Sequence, residues 1–506
     1  MLRRYSVLAL CATMTLGACS PDVVAPLKTP TGPKLALSVS NQTGDYIVLT
    51  NGTGIPAGFA EKVASLGGGV IYSNDKAGFA AVSGLTAAGA TQLGAFGGVA
   101  DVQADAVVAL DAPIGQAQAD ATNLIGNPSI DSQLHPETAI LASWQWNMRL
   151  IGMDTVWKAQ KLGNAGVTVA ILDTGIDYDD LDVNGLVDLS RSTSFMSTFV
   201  KATDTSTVRP ADDTVSKKFF PTRSKISDYN GHGTNVAQQV SSKAVAFGGV
   251  TSRTTLIGVK VLGSNGVGTF GQILSGVLWA ADHGADVANM SLGGAFSKAG
   301  NGRLVGAINK VFNYAKQQGM LIVVSAGNSG ADLQHEGNVE STFCDSPHVV
   351  CVSAVGPTKW LGNGDVPAFY TNFGKSAVTI AAPGGNGVLA ADGKSLVPSD
   401  GWPWADPPKF TDIASWVWSM CSKTLVGGWT SANVPLLTSC TAGNRLLGFI
   451  GTSQASPHVT GLAALLVAQM GHGQPQQIKQ AIIRSADPIN PLLGRGRISV
   501  RNAVGL

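Results

Sequence analysis

Three short segments hold side chains that can do chemistry together. Val169-Ala170-Ile171-Leu172-Asp173-Thr174-Gly175 is an apolar run ending in a carboxylate and a glycine turn. Asn230-Gly231-His232-Gly233-Thr234 sets a histidine between two glycines where a helical pattern opens. Gly451-Thr452-Ser453-Gln454-Ala455-Ser456-Pro457-His458 puts a serine just after a glycine, at the head of an apolar helix. A serine hydroxyl attacks a carbonyl only when a base removes its proton. That base in turn needs a carboxylate to fix its tautomer and to stabilise the imidazolium. Asp173, His232 and Ser453 supply carboxylate, base and nucleophile, in that chain order.

The elements around them must hold these groups in place. From about Gly166 the pattern alternates between strand-like and helical runs. The strand-like runs are Val167 to Leu172, Thr255 to Val261, Val287 to Met290, Leu321 to Ser325, Val349 to Ser353 and Val378 to Ile380. Helical patterns cover His232 to Ser242, Phe270 to His283, Leu304 to Gln318 and Gln454 to Met470. Such alternation predicts a doubly wound α/β domain with a mostly parallel sheet covered on both faces, and ligands beyond the carboxyl ends of its strands. Ahead of it, strands at Tyr46 to Leu49, Val70 to Tyr72, Phe79 to Val82 and Val99 to Leu110 frame helices at Gly58 to Leu66 and Thr86 to Phe96. The order β-α-β-β-α-β predicts a small α+β ferredoxin-like unit. Residues 111–143 show little periodicity and read as a linker.

The chain resembles the subtilisin-like serine peptidases, whose Asp, His, Ser order it shares. The resemblance extends through Gly258-Val259-Lys260-Val261-Leu262-Gly263-Ser264-Asn265-Gly266-Val267-Gly268, Val287-Ala288-Asn289-Met290-Ser291-Leu292-Gly293-Gly294 and Ser325-Ala326-Gly327-Asn328. It covers residues 144–506 and implies a serine endopeptidase working through an acyl-enzyme. It makes Asp173 the orienting carboxylate, His232 the general base and Ser453 the nucleophile. Asn328 and the backbone N–H of Ser453 become the oxyanion-hole donors. Gly266, Val267 and Gly268, with Ser291, Leu292, Gly293 and Gly294, resemble two edges between which an extended peptide pairs its backbone. The small unit, residues 45–110, resembles an inhibitory, chaperone-like propeptide, with a maturation site in the 111–143 linker. Asn235 and Gln238 depart from the usual His and Gly, close enough to the substrate side to affect specificity, and Gln454 replaces the usual Met. Two loops are additional, Leu181 to Ser227 and residues 384–448; the second is expected either as a rim or lid or as surface decoration.

Export is expected from residues 1–18, a basic start followed by an apolar stretch too short to span a bilayer. Leu16-Gly17-Ala18-Cys19 resembles the lipobox of bacterial lipoproteins, which makes Cys19 a lipidation candidate and residues 19–44 a tether. The expected location is the cell envelope or the medium. Cys344, Cys351, Cys421 and Cys440 allow three disulfide pairings, of which nearest-neighbour pairing is favoured. The 506 residues, 44% hydrophobic, exclude a wholly disordered chain, and a net charge of +1 with no basic stripe argues against nucleic acid as a partner. Protein or peptide substrates, the chain's own propeptide and a monomeric state are expected. No cofactor is required for the chemistry. Asp177, Asp179 and Asp180 form an acidic loop that suits either solvent or Ca²⁺, so no metal ligand is assigned. Gly266-Val267-Gly268-Thr269-Phe270-Gly271 fits a dinucleotide-binding G-x-G-x-x-G, but its surroundings fit the peptidase edge better. Asp173-Thr174-Gly175 has no second copy to make an aspartic dyad. A non-catalytic binding protein on this scaffold would be expected to have lost one of the three groups. His283, His335, His348 and His458 are expected to be surface or packing residues.

Overall fold

A computed structural model describes residues 44–52, 54–110, 115–121, 125, 132–198, 209–341, 343–358, 362–387, 415–438, 440 and 445–506. The expected signal segment, Cys19, nearly all of the tether and much of the 384–448 insert lie outside the described residues.

The N-terminal unit follows its sequence pattern closely. Strands β1 (Tyr46–Thr50), β2 (Gly69–Asn74), β3 (Phe79–Ser83) and β4 (Val99–Ala104) form an antiparallel sheet in the order β2-β3-β1-β4. Helices α1 (Phe59–Ser65) and α2 (Ala87–Gly94) cover one face, with Phe59, Val63 and Leu93 packed on Tyr46, Val48 and Val82. The alternate residues of the sheet, Ile47, Phe79 and Ala81, join the core of the larger domain. A strand buried on both faces shows why β1 and β3 are apolar at successive positions.

One strand was expected from Val99 to Leu110; the chain breaks it at Asp105-Ala106. Asp105 is buried, and its carboxylate accepts from Gly271 N at 2.9 and 3.1 Å and from Ala106 N at 2.9 Å. Burial pushes this carboxyl up to about 7, against the hydrogen bonds it accepts. Beyond the break, β5 (Val107–Ala109) leaves the small sheet. The linker is not featureless either, because β6 (Gly115–Asp120) is a strand.

The large domain is built on a seven-stranded sheet. Its strands are β7 (Thr168–Asp173), β8 (Thr193–Ser194), β9 (Thr255–Lys260), β11 (Val287–Met290), β13 (Leu321–Ser325), β15 (Val349–Val355) and β16 (Ile380–Pro383). Between β9 and β11 lies β10 (Val267–Thr269), an edge ribbon; β12 (Ala295–Ser297) and β14 (Val339–Ser341) pair with each other. The order is β16-β15-β13-β11-β7-β9-β8 and every pairing is parallel. Both faces are covered. Val169, Ile171, Leu321 and Val323 face the core shared with α3 (His232–Val240) and α6 (Thr452–Met470), while Ala170, Leu172, Ile322 and Val324 face α4 (Phe270–Asp282) and α5 (Gly302–Gln317). The chain runs from β7 to β9 on one side and then crosses to β11 on the other. Strand order therefore reverses at β7, and a crevice opens at its carboxyl end. Asp173 is the last residue of β7.

The described part of the late insert is also structured. Strand β17 (Val417–Met420), a hairpin of β18 (Val426–Trp429) and β19 (Pro435–Leu437), and β20 (Arg445–Ile450) precede α6. β20 lies between β17 and β6 in an antiparallel three-stranded sheet. Disulfides join Cys344 to Cys351 and Cys421 to Cys440, the nearest-neighbour pairs.

Candidate active site

Asp173 is fully buried, and its Oδ1 lies 2.7 Å from His232 Nδ1 and accepts from Thr174 N at 2.7 Å. His232 opens α3, and Gly233 is what lets that helix approach β7. A Cβ at Gly233 would collide with the Gly175 carbonyl oxygen and sit 3.1 Å from Asp173 Oδ1. Gly233 N instead donates to Thr174 Oγ1 at 2.9 Å.

A residue absent from the sequence expectations organises this corner. Asp228 is fully buried and accepts from Asn230 N, Gly231 N, Thr234 N, Thr234 Oγ1 and Thr174 Oγ1, all within 3.0 Å. It satisfies backbone donors at the start of α3 and ties the helix to the turn after β7. Its signal in the sequence is an Asp two residues before Asn-Gly-His-Gly-Thr, with Tyr229 between. Burial alone would lower the His232 pKa, but the charge and hydrogen bond of Asp173, with a contribution from Asp228, outweigh it and leave the pKa raised above 6.5.

Ser453 lies in the first turn of α6 and is largely covered, at 8% exposure. Its hydroxyl donates to Ser291 O at 3.2 Å. Its carbonyl accepts from Ser291 Oγ at 2.7 Å, which ties the helix to the segment after β11. Asn328 follows the turn after β13. Its Oδ1 accepts from both Thr452 N and Thr452 Oγ1 at 2.8 Å, which turns the amide nitrogen toward Gly451. A Cβ placed on Gly451 would lie 3.5 Å from that nitrogen. Here a donor, a helix N-terminus and the nucleophile converge on one small space, the arrangement that stabilises an oxyanion.

The two edges differ in use. Val267, Gly268 and Thr269 of β10 pair antiparallel with Ala109, Val108 and Val107 of β5, and Leu110 N donates to Gly266 O at 2.8 Å. On the other edge Leu292 is buried in the core, while a Cβ on Gly294 would meet open space. The G-x-G-x-x-G segment holds no open cradle, because Asp105 fills the start of α4 and β5 lies along β10.

Asn235 and Gln238, expected near the substrate side, pack against the insert, and Asn235 Oδ1 also accepts from Gln454 Nε2 at 3.3 Å. Asn235 is fully buried; its amide donates to Ser419 Oγ at 2.9 Å and to Val417 O and Leu447 O at 3.3 and 3.4 Å. Gln238 accepts from Met420 N at 2.8 Å, and Gln239 donates to Trp418 O at 3.0 Å. This row of amides fixes β17 and β20 to α3. The described part of the insert is thus a wall beside His232, not a surface decoration. Phe449 meets the His232 ring edge-on at 5.9 Å, and Leu425 and Leu447 cover Gly231. We expect Asn235→Leu, tested in a background that cannot digest itself, to cost roughly 1–3 kcal/mol through unpaired buried acceptors. A lowered midpoint of thermal or denaturant unfolding is the check.

His458 is a packing residue, as expected. It is fully buried between Gln454 O at 2.8 Å and Asn147 Nδ2 at 2.9 Å, and burial lowers its pKa to about 4. His283 stacks on Trp279 with ring centroids 3.7 Å apart. In the acidic loop, Asp177 and Asp179 both pair with Arg223, and Asp180 accepts from Asp182 N and Gln238 Nε2. Among the described residues no group of three or more His, Cys, Asp or Glu is placed to hold a metal ion, and no helix is long and apolar enough to cross a membrane.

Comparison with known proteins bears on the family and the fold. A profile described as the subtilase family matches residues 164–505. The thermophilic serine proteinase of Bacillus sp. (strain AK1) is 27% identical over 407 residues, covering 77% of each chain. Thermitase of Thermoactinomyces vulgaris is 25% identical over 375 residues, 73% of this chain and 99% of that protein. Among solved structures, the epidermin leader peptide processing serine protease of Staphylococcus aureus has a TM-score of 0.63 at 20% identity, covering 92% of this chain and 98% of that one. These structural likenesses speak for the fold.

Proposed function

The chain belongs to the subtilase family, and from that premise we propose that it is a serine endopeptidase using Asp173, His232 and Ser453, made as a precursor that cuts itself. The observation that carries the reading is the buried 2.7 Å contact of His232 with Asp173, beside a helix-N-terminal serine. In the reaction, His232 Nε2 takes the Ser453 proton as Oγ bonds to the scissile carbonyl carbon. The carbonyl oxygen becomes an oxyanion held by the Asn328 amide and the Ser453 N–H. The C–N bond then breaks, and His232 returns the proton to the leaving amine. Water repeats the sequence on the acyl-enzyme: its proton goes to His232, the acyl–Oγ bond breaks and Ser453 recovers its hydrogen. Asp173 keeps the imidazole oriented throughout.

Self-processing is supported by two anchors in one stretch of chain. Leu110 is bonded to Gly266 on the β10 edge, and Gly115 pairs with Ile450, three residues before Ser453. Five residue steps span at most about 17 Å, so the β10 edge and the end of β20, just ahead of Ser453, hold two points of the chain close together. Residues 111–114 lie outside the described residues, and the cut is proposed between the two anchors. Tethering makes this first substrate intramolecular. On this reading the 45–110 unit is the propeptide; export with an acyl group on Cys19 belongs to the same proposal and rests on the sequence alone.

A fluorophosphonate probe is expected to label the mature protein on the peptide that contains Ser453, with a new N-terminus between residues 111 and 115 in the same mass spectrum. Labelling of another serine, or none in folded protein, would overturn the assignment.

A further inference from the structure

Strand β20 leads directly into the nucleophile, and both of its edges are filled. Val417 to Met420 of β17 pair with Phe449 to Leu446 on one edge. On the other, Gly115 to Asp120 of β6 pair with Ile450 to Arg445, six residue pairs in unbroken register. The chain's own segment leaves the β10 edge at Leu110 and adds to that second edge from Gly115 onward, a course open to a peptide that lies along β10 and passes Ser453. Residues that follow a substrate's scissile bond therefore meet β6 already in their place.

β6 is also built to outlast the cut. Ala119 and Ala121, at 3% and 1% exposure, and Ile125 belong to the same core as Trp416, Trp418, Leu446 and Ile450. The proposed cleavage lies upstream of Gly115, so it separates the N-terminal unit from β6 without exposing these side chains.

We propose that β6 stays on β20 in the mature enzyme and fills the part of the cleft that receives residues after the scissile bond, so that the enzyme discriminates against substrates with a long trailing segment. The inference rests on the self-processing reading. A strand on the same chain competes as an intramolecular ligand, with effective concentrations on the order of millimolar. A substrate ending in a chromogenic amide meets no such competitor, whereas a peptide with five further residues must displace a ladder.

The test compares matured wild type with Gln116→Pro and Ala117→Pro. Ladder N–H groups alternate along a strand, so one of these two variants removes a β6 donor to β20. For a peptide with five residues after the scissile bond, kcat/KM is expected to rise about 10-fold in that variant, while a tetrapeptide p-nitroanilide with the same leading residues changes less than twofold. A tenfold rise corresponds to a competitor whose effective concentration, about millimolar, exceeds its dissociation constant about tenfold. A synthetic peptide of residues 112–120 added to the variant should slow the long substrate and spare the p-nitroanilide. Hydrogen exchange on matured wild type supplies an arm that needs no mutation: slow exchange over 115–120 is expected. Free-chain exchange there, an N-terminus downstream of Asp120, or parallel changes on both substrates would overturn the proposal. Absence of p-nitroanilide hydrolysis in wild type would instead overturn the peptidase reading.

Discussion

Ser453→Ala is expected to yield a chain that never matures. Peptide hydrolysis should fall by about 10⁶ in turnover, the scale for losing the nucleophile in an enzyme of this kind. The fold should survive, because alanine suits a helix and the Ser453 backbone carbonyl keeps its bond from Ser291 Oγ. Only the weak rest contact of the hydroxyl with Ser291 O is lost. Purified variant, run beside wild type and mapped by mass spectrometry, should retain residues 45–110 covalently joined to the large domain. Correct removal of that unit by the purified variant, with no other protease present, would refute self-cleavage.

Asp173→Asn should cost about 10⁴ in turnover, the magnitude for a triad whose imidazole is left in the wrong tautomer. Its pH dependence carries more information than its size. With His232 as the proposed base, its neutral form is the active one, so wild-type kcat/KM should rise with pH through a value raised above the ordinary 6.5. It is raised because the charge and hydrogen bond of Asp173, with a contribution from Asp228, together outweigh burial. Asparagine keeps the burial and removes the charge, so the imidazolium loses its main stabilisation and the acid limb should move to lower pH. A limb that stays in place while activity collapses would mean that Asp173 orients the ring without setting its proton affinity.

Asp173, His232, Ser453 and Asn328 were legible in the sequence because each sits in a short, local pattern at an element boundary. The large sheet was legible for a related reason: β7 and β13 are buried on both faces, so they read as continuous apolar runs. The break at Asp105 was not legible, because the partner of its carboxylate is Gly271 N, far along the chain. Strand β6 was missed because a polar, alanine-rich segment has no apolar alternation, and its pairing is made by backbone groups, which carry no residue signature. Asn235 and Gln238 were noted only as departures near the substrate side, because their role as a row of amides is intelligible only once β17 and β20 lie against it.

The pairing of β6 with β20 joins residues about 330 apart in the chain, and that of β5 with β10 joins residues about 160 apart. The four strands of the N-terminal unit find one another within 46–104. Contacts of such different reach close in a preferred order, because the entropy of a long loop is lost before its contacts repay it. The small unit should therefore collapse first, and the ladder beside Ser453 should zip last. Cleavage competence then arrives only as folding ends, which protects half-formed chains from their neighbours. The same late closure raises the barrier in both directions, so the finished molecule's lifetime among other proteases is set by a slow unfolding rate more than by its equilibrium free energy.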